Sequence, residues 1–176
     1  MRTRWMMGAA LAAIALAAPV SAQDHGAHAG HANAANPADV AAITAVVNTL
    51  FDGMRAGDSA MVRSVFHPEI RMVTAFRNRE NQPQVMVEEN LDEFVQMVGT
   101  PHEEVFDEKI WDLVVKVDGD FGMAWMNYAF YLGERFSHCG IDLMELVRTA
   151  DGWKIIHLAD TRRRQGCEVP EGVSAN

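Results

Sequence analysis

The motifs of three common hydrolytic chemistries are missing from this chain. It has no glycine-rich phosphate loop, no HExxH and no GxSxG. Nucleotide hydrolysis, zinc proteolysis and serine esterase activity are therefore without support, and no cofactor is called for. Positive charge is also scarce: 15 Lys and Arg face 24 Asp and Glu, for a formal charge of −9. That excludes nucleic acid or an anionic lipid surface as the main partner, because both demand a surplus of Lys and Arg. A small hydrophobic, neutral or cationic molecule suits the balance better. The longest apolar run, Met6 to Ala18, falls short of the roughly 20 residues that cross a bilayer, so no integral membrane anchor is expected. There are two cysteines, Cys139 and Cys167, and no CxxC. Such a pair gives weak grounds for a metal site.

What is present begins with Arg2 and Arg4, the Ala-rich run, a break at Pro19 and the small residues of Val20-Ser21-Ala22. Each does a distinct job in a secretory signal, and residues 1–22 read as one, with cleavage before Gln23. The expected location is periplasmic or secreted. Removal takes two basic and no acidic residues, which leaves 154 residues and a formal charge of −11. That length suits one domain. In an oxidising compartment Cys139 and Cys167 are expected as a disulfide.

Residues 23–36 are Ala, Gly, Asn and His without hydrophobic periodicity, and read as a flexible leader. His25, His28 and His31 lie in it. One reading is a solvated linker that happens to be His-rich. The other is capture of Cu(II) or Ni(II), because cleavage would make His25 the third residue, where a free amine, backbone nitrogens and imidazole can form a square-planar set.

From Pro37 the pattern becomes that of a folded domain. Val40, Ile43, Val46, Val47, Leu50 and Met54 recur at three- and four-residue steps, which predicts an amphipathic helix ending near Gly57. Asp58 or Ser59 starts a short second helix, expected to stop at His67-Pro68. Ile70 to Phe76 and Gln84 to Val87 read as strands around a turn at residues 78–82. A third helix carries Leu91, Phe94, Val95 and Val98 and stops at Gly99-Thr100-Pro101. Everything after Pro101 reads as a long antiparallel meander with turns at residues 118–120, 132–135 and 151–152. Its strands are apolar on both parities, so both faces of the sheet are expected to be covered, one by helices and the other by a second copy of the chain.

Three segments carry a resemblance: the helix with Leu50-Phe51-Asp52-Gly53, then Val65-Phe66-His67-Pro68-Glu69, and the closing Ser137 to Asp142 with Asp151-Gly152-Trp153-Lys154-Ile155-Ile156. Together they resemble the nuclear transport factor 2-like superfamily, near its SnoaL-like and lumazine-binding-like members, over residues 37–167. The resemblance implies an α+β fold, with a cone-shaped, curved, mixed and mainly antiparallel sheet wrapped around about three N-terminal helices. It also implies a ligand pocket and a homodimer. Residues 168–176 are left as a flexible tail. The superfamily holds isomerases, dehydratases and epoxide hydrolases beside non-catalytic binders, so whether this chain is an enzyme stays open.

Strand pairing offers a pocket face. If the hairpin at Asp151-Gly152 sets Leu146 opposite Ile156, Glu145 falls opposite His157; if Leu132 faces Phe136, Asn127 falls opposite Ile141. One face then holds Trp125, Asn127, Tyr131, Ile141, Ile155 and Thr161 as ligand-binding residues around a Glu145–His157 pair. A slip of one residue presents Tyr128, Asp142 and Asp160 instead. A carboxylate beside an imidazole can move a proton near neutral pH, so His157 and Glu145 are the first catalytic candidates, against a structural ion pair. Asp142 and Asp160 are the second. In the run Arg162-Arg163-Arg164 an inward guanidinium could hold an anionic group. Three functions compete: ligand binding without catalysis, a cofactor-independent lyase or isomerase, and metal handling by the leader.

Overall fold

The computed structural model describes residues 36–173. The expected signal, most of the expected leader and the three histidines His25, His28 and His31 lie outside them. The elements are α1 (Pro37–Ala56), α2 (Ser59–Ser64), β1 (Phe66–Arg77), β2 (Pro83–Glu88), α3 (Leu91–Val98), β3 (Phe106–Asp118), β4 (Phe121–Leu132), β5 (Arg135–Thr149) and β6 (Gly152–Arg162). Asn36 caps α1 by accepting the Ala38 N–H, and Pro37 at the first turn has no N–H to leave unpaired. Gly57 ends the helix at φ 63°, a left-handed conformation that costs glycine little. Asp58 and Asn90 cap α2 and α3 in the same way as Asn36.

The six strands form one sheet in the order β2-β1-β6-β5-β4-β3, in which only β1 and β6 run parallel. It curls around the helices without closing. Ile43, Val47 and Leu50 of α1 are buried against Met126, Met144, Leu146 and Ile155 of the sheet. Each such side chain, fully removed from water, stabilises the fold by about 1.5–3 kcal/mol. No helix among the described residues is long and apolar enough to cross a membrane.

Two expectations about this architecture need correction. The sequence places His67-Pro68 at a helix end, yet α2 stops at Ser64 and β1 already begins at Phe66. Pro68 is tolerated because it sits in the register break between Phe66 and Arg71, where no ladder bond needs its missing N–H. The register itself is shifted at two bulges. Leu146 pairs with Ile155 instead of Ile156, and Leu132 pairs with Arg135 instead of Phe136. Between the bulges the expected pairs return, Asn127 with Ile141 and Glu145 with His157, and Trp125 pairs with Leu143 in the same register. An extra residue at a bulge turns the strand's following side chains to the other face.

A disulfide joins Cys139 of β5 to Cys167 beyond β6. It holds the chain end over a small outer cluster of Ala129, Tyr131 and Cys139, against which Trp111 and Val169 also pack. The rest of the outer face is uncovered among the described residues; Trp125 there is 44 % exposed and Val114 47 %. The homodimer expected through the sheet would use this surface.

Candidate functional site

Between the sheet and helices α1 and α3 lies a cavity of about 320 Å³. Phe51, Met54, Phe94, Met97, Phe130 and Met144 supply much of its apolar wall. Methionine and phenylalanine give an adaptable, polarisable lining suited to flat organic molecules. At one end the wall turns polar, where β3 brings Glu108, β4 Tyr128, β5 His138 and Asp142, and β6 Asp160 and Arg162. Glu88 and Thr74 join from β2 and β1.

The donors in this cluster converge on one carboxylate. Thr74 Oγ1 donates to Asp160 Oδ1, while Tyr128 donates to Asp160 Oδ2 at 3.2 Å and to the Thr161 carbonyl at 2.9 Å. Arg162 Nε completes the set at 2.8 Å from Asp160 Oδ2. Asp142 is treated differently. It is only 4 % exposed, and no protein N–H or O–H reaches its Oδ2. Its polar neighbour is the Glu108 carboxyl, and two carboxyls can hydrogen-bond only when one keeps a proton. Burial, and then the charge of Glu108 and the bond to it, hold Asp142 well above the usual carboxylate range. Burial likewise lifts Glu108 to about 7, with Asp160 adding to the rise and the Asp142 bond opposing it. Asp142 is therefore the donor and Glu108 the acceptor.

Two neighbours are fixed in their neutral forms. Burial, reinforced by Arg162, lowers His138 to about 4, so its imidazole is uncharged at neutral pH. Burial and the adjacent carboxylates raise the Tyr128 phenol far above its ordinary value. For Arg162 burial works against the charge, but Asp160 outweighs it and the guanidinium stays charged.

The structure divides the sequence-selected residues between two faces. Asp142 and Asp160 line the cavity, together with Tyr128, and they do so in the expected register, because the opposite parity of the strands faces inward. His157 and Glu145 do meet, with Nδ1 3.3 Å from Oε2, but on the outer face and partly exposed. Trp125, Asn127, Ile141 and Thr161 share that outer face and do not line the cavity. There Asn127 donates to Asp112, and Thr161 accepts the Ile141 N–H. Tyr131 lies under the disulfide-held chain end, and the bulge places Ile155 in the core, fully buried. The physical reason for the change of face is that the apolar pattern on β4 and β5 marks both sides equally. A discriminating signal is the small residue at alternate positions: a Cβ on Gly122 would come within 2.4 Å of Ile43 in α1, so that parity faces the helices. Glu108, His138 and Thr74 were not among the expected site residues. Among the described residues no group of three or more His, Cys, Asp or Glu is arranged to hold a metal ion.

A curled mixed sheet around three helices, with a cavity between, defines the nuclear transport factor 2-like class. The chain belongs to the family described as putative lumazine-binding, whose pattern matches residues 38–158. No curated protein matches it significantly. Among solved structures, an NTF2-like protein with a cystatin-like fold from Novosphingobium aromaticivorans aligns at a TM-score of 0.57 and 11% identity, over 74% of this chain and 84% of that one. A putative dehydratase from Streptomyces avermitilis aligns at 0.55 and 15%, over 72% and 97%. A protein of unknown function from Mycobacterium tuberculosis aligns at 0.55 and 17%, over 73% and 79%. At these identities the likeness is one of fold.

Proposed function

We propose that this chain is an exported domain that binds a small, flat, largely apolar molecule in the cavity between the sheet and helices α1 and α3. The observation that carries the reading is the cavity's composition: apolar walls closing on a few buried polar groups, the usual make-up of a small-molecule site. Its volume suits a bicyclic ring system. Lumazine, in the family's description, is of that size. The test is a thermal-shift and calorimetric panel of bicyclic heteroaromatics that includes lumazine. Met97 lies at the cavity mouth and is half exposed, so Met97→Trp should obstruct entry without disturbing the core. The expected outcome is stabilisation of the wild type by some members of the panel and at least a tenfold loss of affinity in Met97→Trp. Equal binding in both proteins would place the ligand elsewhere.

Export is supported by the Cys139–Cys167 disulfide, which persists in oxidising compartments. Mass spectrometry of the exported protein should find a chain beginning at Gln23; an intact Met1 would refute cleavage.

A second reading, a cofactor-independent lyase or isomerase, is favoured by one observation. Glu108, near 7, can give and take a proton at neutral pH while Asp142 stays protonated beside it. If this holds, some member of the panel turns over and Glu108→Gln abolishes the turnover while retaining binding. Binding without turnover in the wild type would leave the first reading alone.

A further inference from the structure

We propose that the acidic end of the cavity is a subsite for an amidine- or guanidine-like cation carried on a planar apolar body, its N–H groups bridging Glu108 and Asp142. The inference rests on the cavity being a binding site and says what its polar end selects. The side-chain donors of Thr74, Tyr128 and Arg162 are directed to Asp160, while the His138 ring bonds to Ser137 Oγ. None serves Asp142, although Asp142 is the more deeply placed carboxyl and lies in the cavity wall. A buried acceptor without a donor is costly unless something else supplies one. Within the protein itself that donor is the proton between Asp142 and Glu108. A ligand that brings its own donors can replace it.

The charge balance favours a cation over a neutral donor. Arg162 is bonded to Asp160, so it acts on Glu108 and Asp142 only through space and gives neither of them a hydrogen bond. Asp107, next to Glu108 in sequence, is engaged by Arg55 at 2.8 Å and Lys109 at 3.0 Å. Glu88 adds a further acidic group at the lining, His138 contributes no positive charge at neutral pH, and neither α1 nor α3 lines the cavity with a charged residue. A forked planar cation fits two adjacent carboxyls as guanidinium fits carboxylate, through parallel N–H donors. The edge-to-face rings of Phe106 and Phe130, 5.4 Å apart, offer an aromatic wall beside it.

Binding then exchanges one cation for one proton. The Asp142 O–H bond breaks, its proton passes to solvent, and both carboxylates accept from the ligand. Because protons compete with the cation, affinity must rise with pH.

Benzamidine and its neutral isostere benzamide make the test. In wild-type protein at pH 8, benzamidine should bind at least tenfold more tightly than benzamide. Calorimetry in buffers of different ionisation enthalpy should show about one proton released, and Kd should fall about tenfold per pH unit between 7 and 8. Asp142→Asn should erase the preference and the proton release. If that variant does not fold by circular dichroism, Glu108→Gln decides, since an unchanged benzamidine affinity there overturns the proposal. Equal affinity for the two probes in the wild type also overturns it while leaving the cavity as a binding site. So does binding of a neutral bicyclic compound with none of benzamidine. Failure of every probe, neutral or cationic, sinks both readings.

Discussion

At the scale of single residues, Gly140 shows how closely the site is built. It stands on β5 opposite Tyr128, and a Cβ there would lie 1.7 Å from the Thr161 carbonyl oxygen and 2.7 Å from Tyr128 Cε1. Neither neighbour can retreat freely. The carbonyl is backbone of β6, and the Tyr128 hydroxyl is tied to that same carbonyl and to Asp160. Gly140→Ala must therefore push β5 from β6 or turn the phenol off Asp160. Urea unfolding should show a loss of about 2 kcal/mol, within the range for overpacking in a close-packed interior. An alanine variant as stable as the wild type would mean that the two strands have room to part. The sequence does contain Gly140, in the closing segment used for the family resemblance, but nothing local says which carbonyl approaches it. That approach depends on β6, which is about 20 positions further along the chain.

At the scale of elements, helix ends and turns were legible because their chemistry is local. Gly57 stops α1, and Asp58 caps α2 through its bond to the Met61 N–H. The hairpins at residues 118–120, 132–135 and 151–152 fall where expected. The faces of the strands were not legible. Two bulges intervene, and the apolar residues on both parities of β4 gave no vote between Trp125 and Tyr128 as the inward residue. The small outer cluster explains part of this ambiguity, since Tyr131 and Ala129 are buried on the outer side by the chain end. The disulfide maintains that cover. It closes a loop of 28 residues in sequence separation, for which loop-closure entropy predicts a contribution of about 3.5 kcal/mol. Cys167→Ala should lower unfolding stability by that order. It should also increase proteolytic cleavage beyond β6 before the domain as a whole unfolds. Unchanged resistance to protease would show that Val169 and its neighbours hold the end without the covalent bond.

For the whole molecule, the buried charges set how stability depends on pH, and two groups pull in opposite directions. His138 has a folded value of about 4 against an ordinary 6.5, so the folded state binds fewer protons than the unfolded one between those limits. Its contribution is present above pH 6.5 and is lost as pH falls towards 4. Glu108 and Asp142 behave in reverse, with folded values above the ordinary 4.5 and 3.8. There the folded state binds more protons, so stability is present at low pH and is lost as pH rises through about 7 and beyond. Between roughly 4.5 and 6.5 the single imidazole offsets only part of the decline that the two carboxyls cause. Above 6.5 His138 is neutral in both states, and the carboxyl pair alone acts. Urea midpoints should therefore fall steadily from pH 6.5 to 8.5, on the side where an acidic protein also gains repulsive charge. The separation of these causes lies in Asp142→Asn, which cannot ionise. It should flatten most of that decline if the pair is responsible, and leave it intact if general repulsion is. A wild-type midpoint that stays level from pH 6.5 to 8.5 would show that no proton is held between Glu108 and Asp142. The charge argument for a cation at the end of the cavity would then lose its basis.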